Sequence, residues 1–350
     1  MSSKDCPFYA GSKITDPRFF VGRRDLLKTL CDRLTGAQPT SINIVGRHRT
    51  GKSSLLLQFV NTFRQRVENP DRFLVVYLSL QDAGCDTQDK FYGSIAKLLA
   101  VHLPSNNRAL QKLLTVKQWD SIKFNQLIQA SKQQGFLPVL CIDNFEELLE
   151  RKEQFPNNFY DNLRSLLDGN HLMLVMSSCE MLDYYSKQKQ ITSDFFNLFQ
   201  TIDLNDGFSS EDANSLVVLK NGMGEGLTPD LQKKALAWGK REPYLLQLAS
   251  QKLWEMQTDH KSLQWAEKEF KAQANRFSFQ PKSPLLSDLY KLISQLGKWV
   301  LWFNKNRKEM QEFWAGLLFL AVIFVILLSF SYGAINFEQI KSLVFPKSGK

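Results

Sequence analysis

The stretch "VGRHRTGKSS", residues 45–54, spaces two glycines, a lysine and a serine as G-x-x-x-x-G-K-S, namely Gly46, Gly51, Lys52 and Ser53. Those residue types at that spacing do one kind of chemistry, which is to hold a polyphosphate. Glycines let backbone amides close around the anion, and the helix that follows adds its partial positive charge. The lysine bridges the terminal phosphates while the serine hydroxyl ligates magnesium. Arg47, His48 and Arg49 crowd the loop with cationic or polar groups. Arg49, Thr50 and Ser54 are counted here as phosphate-side candidates; solvated loop charge is the other reading of the loop cations.

A second chemistry-bearing stretch is "VLCIDNFEELL", residues 139–149, where an apolar run ends in Asp143. A carboxylate at the end of a buried strand can hold the magnesium shell, so Ser53 and Asp143 are the expected metal residues and Mg2+ the expected ion. The next residue, Asn144, is an amide, which can orient a water but cannot accept its proton. General-base help is worth about 10² to 10⁴ in rate. Glu146 and Glu147 follow within a turn. Glu146 or Glu147 supplies the working carboxylate, or both acids simply favour the positive start of the next helix. Expected catalytic residues are thus Lys52 and Asp143, with one of these two acids. Ser177 and Ser178 end a further apolar run, "HLMLVMSSCE", where either could orient water or the terminal phosphate, and Ser178 is counted with the binding residues.

These residues need elements that bring them together. "SINIVGRHRTGKSSLLLQFV" reads as strand, glycine loop and helix, and "RFLVVYLSL", "VLCID" and "HLMLVMSSCE" read as further strands with helical patterns between them. Alternating strands and helices predict an α/β fold, a parallel sheet covered by helices on both faces. Ligand then sits at the carboxyl ends of the strands. After the sheet, Ser209 before "SED" and Thr228-Pro229 are helix starts, which predicts a small helical lid. The expected boundaries are 1–205 for the nucleotide-binding domain, 206–279 for the lid, 280–312 for a basic linker helix, 313–335 for a membrane span and 336–350 for a tail.

The last of these expectations rests on composition. Residues 313–337 contain no Asp, Glu, Lys, Arg or His, and 23 residues from 313 to 335 as a helix would reach roughly 34 Å, enough to cross a bilayer's hydrocarbon core. Upstream, Leu285, Leu289, Leu292, Ile293, Leu296, Val300 and Phe303 recur at helical spacing. That amphipathic helix either lies along the membrane surface or packs on the globular part. Six Lys or Arg against two acids between 281 and 310 favour lipid over DNA as the local partner. The N-terminus has no apolar signal segment, so a single-pass protein with its nucleotide-binding part in the cytoplasm is expected. Five scattered cysteines and four isolated histidines indicate neither a disulfide framework nor a zinc site.

With these residues in view, the chain resembles the STAND branch of the AAA+ ATPases, the signal-transduction ATPases and their archaeal and cyanobacterial AAA-like relatives. "ITDPRFFVGRRDLLKTL" is similar to that group's F-x-G-R box and "VLCIDNFEELL" to its D-[polar]-F-E-E-L variant. "LNDGFSSEDANSLV" resembles the segment that opens the lid, "GKREPYLLQLASQKL" the lid motif and "AEKEFKAQANRFSFQ" the helix after it. The resemblance spans about residues 7–279. It implies ATP and ADP as ligands, Glu146 as the catalytic carboxylate beside Lys52 and Asp143, Phe20, Gly22 and Arg23 beside the adenine, and Pro243 and Tyr244 placing the lid against the nucleotide. Two departures stand out: more residues separate Gly239 from Pro243 than the family pattern has, and no arginine finger is identifiable.

The expected function is a membrane-anchored, slowly hydrolysing ATPase that acts as a conformational and assembly switch in signalling, in a defence or stress setting. It would form a homo-oligomer when ATP-bound, contact lipid through its C-terminal helix, and work with a protein sensor or effector. A tethered ATPase that handles nucleic acid is the disfavoured alternative, because about thirty residues between 280 and 312 leave no room for a winged helix, which needs roughly seventy. A non-hydrolysing, nucleotide-bound scaffold is the third reading, and it rests on Asn144.

Overall fold

The computed structural model describes residues 6–81, 84–103, 107–219 and 226–278. The predicted linker helix, membrane span and tail lie outside the described residues. Among the described residues, no helix is long and apolar enough to cross a membrane. Residues up to Ser278 form one compact unit.

Its centre is a sheet of five parallel strands in the order β2-β3-β4-β1-β5. These are β1 (Ile42–Val45), β2 (Phe73–Ser79), β3 (Leu137–Asp143), β4 (Met173–Ser178) and β5 (Gln200–Asp203). All seven residues of β3 are buried, as they must be in a central strand with helices on both faces. Sequence patterning identifies the first four strands. It misses β5, a four-residue edge strand with a single buried position, Ile202.

Strand periodicity sorts the side chains onto two faces. Ile42, Ile44, Val75, Val139, Cys141 and Val175 pack under α1 (Arg24–Thr35) and α2 (Lys52–Thr62). The opposite face carries Leu74, Val76, Leu140, Ile142, Leu174 and Met176. It is covered by a larger helical layer: α3 (Gln88–His102), α4 (Arg108–Leu114), α5 (Ser121–Gln133), α6 (Glu146–Glu150), α7 (Asn157–Asp168) and α8 (Leu182–Lys189). Aromatic rings fill that layer, with Tyr92 stacked on Phe124 at 4.6 Å between centroids.

The lid follows as α9 (Ser210–Val217), α10 (Pro229–Gly239), α11 (Pro243–Thr258) and α12 (Leu263–Ser278). Ser209 caps α9 by accepting the Asp212 N–H at 3.0 Å, and Pro229 opens α10. The lid has its own core, including Leu216, Leu246, Leu253 and Trp254, and one member comes from the far end of the chain: Phe8 is only 3% exposed. Gly239 serves packing here. A Cβ at this position would lie 2.4 Å from the Leu246 Cα, so glycine is what lets α10 and α11 approach.

Candidate functional site

β1 ends in the glycine loop, and α2 begins at its far side. Gly51 takes φ 89°, the left-handed conformation that glycine adopts without strain, and so turns the chain into α2. Gly46 is required for a different reason, since a Cβ there would stand 2.7 Å from the Thr50 hydroxyl. Lys52 is buried, and its Nζ donates to the carbonyls of Gly46 and, at 3.1 Å, Arg47. The loop's own carbonyls thus hold the ammonium inside the loop.

Parallel register brings the second stretch to the same end of the sheet. Asp143, at the carboxyl end of β3, is 2% exposed. Its Oδ1 accepts the hydroxyls of Ser53, at 3.0 Å, and of Ser177; its Oδ2 accepts the Tyr77 hydroxyl at 2.8 Å. Ser53 on α2 and Asp143 on β3 therefore present a hydroxyl and a carboxylate oxygen side by side. This all-oxygen donor set fits magnesium, which takes hard oxygen ligands through one or two protein groups and water.

The two serines at the end of β4 go to opposite faces. Ser177 shares a face with Asp143 and also accepts the Asn144 N–H at 3.0 Å. Ser178, counted with the binding residues, points the other way, where Asn43 Nδ2 donates to it at 3.0 Å and it donates to the Glu180 carbonyl at 2.7 Å. Strand alternation is the physical reason, and of the two serines that the sequence offers it is Ser177 that meets Asp143.

Asn144 adopts φ 61° and lines the cleft above the loop. The two acids after it separate. Glu147 pairs with Arg151 at 3.3 Å, whereas Glu146 turns inward. Its Oε1 accepts from the Cys179 thiol at 3.0 Å, its Oε2 is buried without a hydrogen-bond partner in the structure, and the same thiol lies 3.8 Å from Lys52 Nζ. Burial, with the Glu146 charge beside it, pushes the Cys179 thiol up to about 12, against the smaller opposing pull of Lys52. Cys179 is a site residue that sequence reading missed; it follows the serine pair directly, but no motif marks it.

A cleft of about 340 Å³ opens beside the glycine loop, with Asn144 at its edge. Lys52, Ser53, Ser54 and Arg49 line its floor, and Phe20, Arg23 and Pro243 lie around its wall. Gly22 contributes by close approach instead. At φ 78°, a Cβ there would fall 2.5 Å from the Asp212 Cγ of the lid. Arg23 is 6% exposed: its guanidinium donates to the Thr50 carbonyl, stacks over Phe208 at 5.2 Å and keeps an unpartnered Nε. Burial lowers it to about 10, offset in part by Asp212. The loop touches the lid directly as well, with Arg49 over the Tyr244 ring at 4.1 Å and Arg47 3.6 Å from Glu242.

Residues 17–183 match a family model described as AAA domain. The fold is similar to that of a Walker-type ATPase of Pyrococcus abyssi, with a TM-score of 0.55 at 14% identity over 83% of this chain and 80% of that one. Weaker likenesses include the ORC1 protein of Aeropyrum pernix in complex with DNA (TM-score 0.47, 13% identity, 72% of this chain and 64% of that one). Another is domain III of the Thermotoga maritima replication initiation protein DnaA (TM-score 0.45, 17% identity, 77% and 100%). No curated protein matches the sequence. A parallel five-stranded sheet with a glycine loop after β1 and a carboxylate at the end of β3 gives the chain a fold similar to that of the Walker-type ATPase, and residues 17–183 within it are similar to an AAA domain.

Proposed function

We propose that this protein is a STAND-like ATPase switch that binds ATP with magnesium, hydrolyses it slowly, and changes its lid contacts and assembly state with the bound nucleotide. The observation that carries this reading is the double contact of the phosphate loop with the lid. Arg47 and Arg49 sit in the loop, yet meet Glu242 and Tyr244 at the start of α11. A bound triphosphate competes for the same cations, so nucleotide occupancy and lid contact are linked through shared charges.

In the hydrolytic step, a water oxygen bonds to the γ-phosphorus as the bond from that phosphorus to the β–γ bridging oxygen breaks, leaving ADP and phosphate. Lys52 leaves the loop carbonyls to neutralise the terminal oxygens. Glu146, whose buried Oε2 has no partner, accepts the water's proton and passes it to solvent. Ser53 and Asp143 would hold magnesium, which would supply charge neutralisation to the polyphosphate. Asn144 in the cleft can orient the water only, which supports slow turnover.

The apolar 313–335 segment supports anchoring in a membrane with the AAA domain on the cytoplasmic side, and the lid coupling supports homo-oligomer formation with ATP. A protein sensor or effector partner completes the switch. The test is ATP turnover by the purified full chain. Slow turnover, below the usual range of about 1 to 10³ s⁻¹, that is lost in Lys52→Ala and in Glu146→Gln supports the reading; turnover retained in Lys52→Ala sinks it. Tight ATP binding with no turnover in the wild type would favour the scaffold reading that Asn144 motivates.

A further inference from the structure

Tyr77 lies on β2 opposite Cys141 of β3, so its side chain projects on the same face as Asp143, one diagonal step away. It is a partly buried residue with a hydroxyl held from both sides. It donates to Asp143 Oδ2 at 2.8 Å and accepts from Lys13 Nζ at 3.0 Å, and the same ammonium stands 4.9 Å from the ring centroid. The two oxygens of Asp143 are thereby divided. Oδ1 faces Ser53 and Ser177, while Oδ2 is fixed by Tyr77.

Lys13 belongs to an N-terminal strap, residues 6–16, that is docked on both walls of the cleft. On the lid side, Phe8 is buried in the lid core and the Tyr9 N–H donates to Gln247 Oε1 at 2.8 Å. On the loop side, the Ile14 N–H donates to Ser54 Oγ at 3.0 Å and Asn61 Nδ2 donates to the Thr15 carbonyl at 3.2 Å. Between these anchors, Lys13 reaches the hydroxyl that holds the carboxylate. A chain of hydrogen bonds therefore runs from the strap to Asp143.

We propose that Tyr77 is a positioning residue for the magnesium-binding carboxylate and that Lys13 makes this positioning depend on strap docking. The proposal rests on the reading of Asp143 as the magnesium residue given above. A carboxylate ligand must be held in one orientation to serve a small ion with strict geometry, and its outer hydrogen-bond partners do that holding. Tyr77 fixes Oδ2, so that Oδ1 stays turned toward the Ser53 hydroxyl. The Lys13 ammonium polarises the Tyr77 hydroxyl and so strengthens its bond to the carboxylate. Since the strap is also seated in the lid, lid movement and magnesium affinity are joined through two side chains.

The test uses the full chain and a fluorescent ATP analogue, with binding followed by anisotropy in EDTA and across a magnesium titration. Wild type, Lys52→Ala, Tyr77→Phe and Lys13→Met are compared. In Tyr77→Phe, the gain in nucleotide affinity that magnesium confers is expected to fall about tenfold, and in Lys13→Met to fall in the same direction by less. Lys13, partly exposed on the strap, keeps the test valid should Tyr77→Phe fold poorly. Magnesium curves of both variants that superimpose on a magnesium-responsive wild type would overturn the proposal alone. A gain in magnesium effect in Lys13→Met would show the ammonium acting as a like charge on the site, and overturns the strap's part. Wild-type binding that is indifferent to magnesium, or no tighter than that of Lys52→Ala, would overturn the underlying reading as well.

Discussion

The backbone N–H of Arg23 donates to the carboxylate of Asp212 at 3.1 Å, joining the residue before α1 to the first turn of the lid across 189 positions of sequence. Both partners are set by local geometry. Arg23 has φ 57° and Gly22 φ 78°, two consecutive left-handed residues that aim the amide at α9. Asp212 is in turn held by the Ser209 cap. Replacing Gly22 with alanine would press a methyl group onto the Asp212 carboxylate at a backbone angle that disfavours it. A loss of about 1–3 kcal/mol of stability is expected, read as a lower thermal midpoint; an unchanged midpoint would mean that this contact does not hold in solution.

The two acids of α6 should behave differently. Glu147 forms a half-exposed pair with Arg151, so Glu147→Gln should cost under about 1 kcal/mol and leave ATP turnover at the wild-type level. Glu146→Gln should lower kcat by about 10² or more while ATP binding persists. The reverse ranking would assign the proton to the wrong carboxylate.

Cys179 provides a pH signature. Its thiol is raised from 9.0 to about 12, chiefly by burial and then by Glu146. Below pH 9 the thiol is protonated in both folded and unfolded chains, so its contribution to stability is fully present. Between about 9 and 12 the unfolded chain loses the proton first, and that contribution drains away as pH rises. Alkylation followed by mass spectrometry should find Cys179 slow at pH 8. Glu146→Gln removes the charge that opposes the thiolate and should speed the reaction. Equal rates in the two proteins would contradict the 3.0 Å contact.

The strap can be tested by amide exchange. Phe8→Ala removes the anchor in the lid core, and partial undocking should follow instead of global unfolding. Exchange at Tyr9 and Ile14, whose N–H groups are bonded to Gln247 and Ser54, should accelerate while that of β3 does not. Protection unchanged at both positions would show that Phe8 does not seat the strap.

The α/β class, four of the five strands, the helix starts at Ser209 and Pro229, and the pairing of Ser53 with Asp143 were all legible in the sequence. Each depends on local signals: apolar runs, glycine spacing, a capping serine, a carboxylate where a strand must end. The residue on β4 that meets Asp143 was not legible, because choosing Ser177 over Ser178 needs the strand's register and a shift of one residue exchanges the two faces. Strand β5 carried too little hydrophobic pattern to declare itself. Nor could spacing reveal Tyr77, Lys13, Cys179 or Asp212, whose partners stand tens to hundreds of positions away. Local chemistry in the sequence therefore determined which residues are fitted to hold a polyphosphate and an oxygen-ligated ion. Tertiary structure decided which side chains orient that site, because hydrogen bonds between distant residues exist only once the sheet, the lid and the strap have closed on one another.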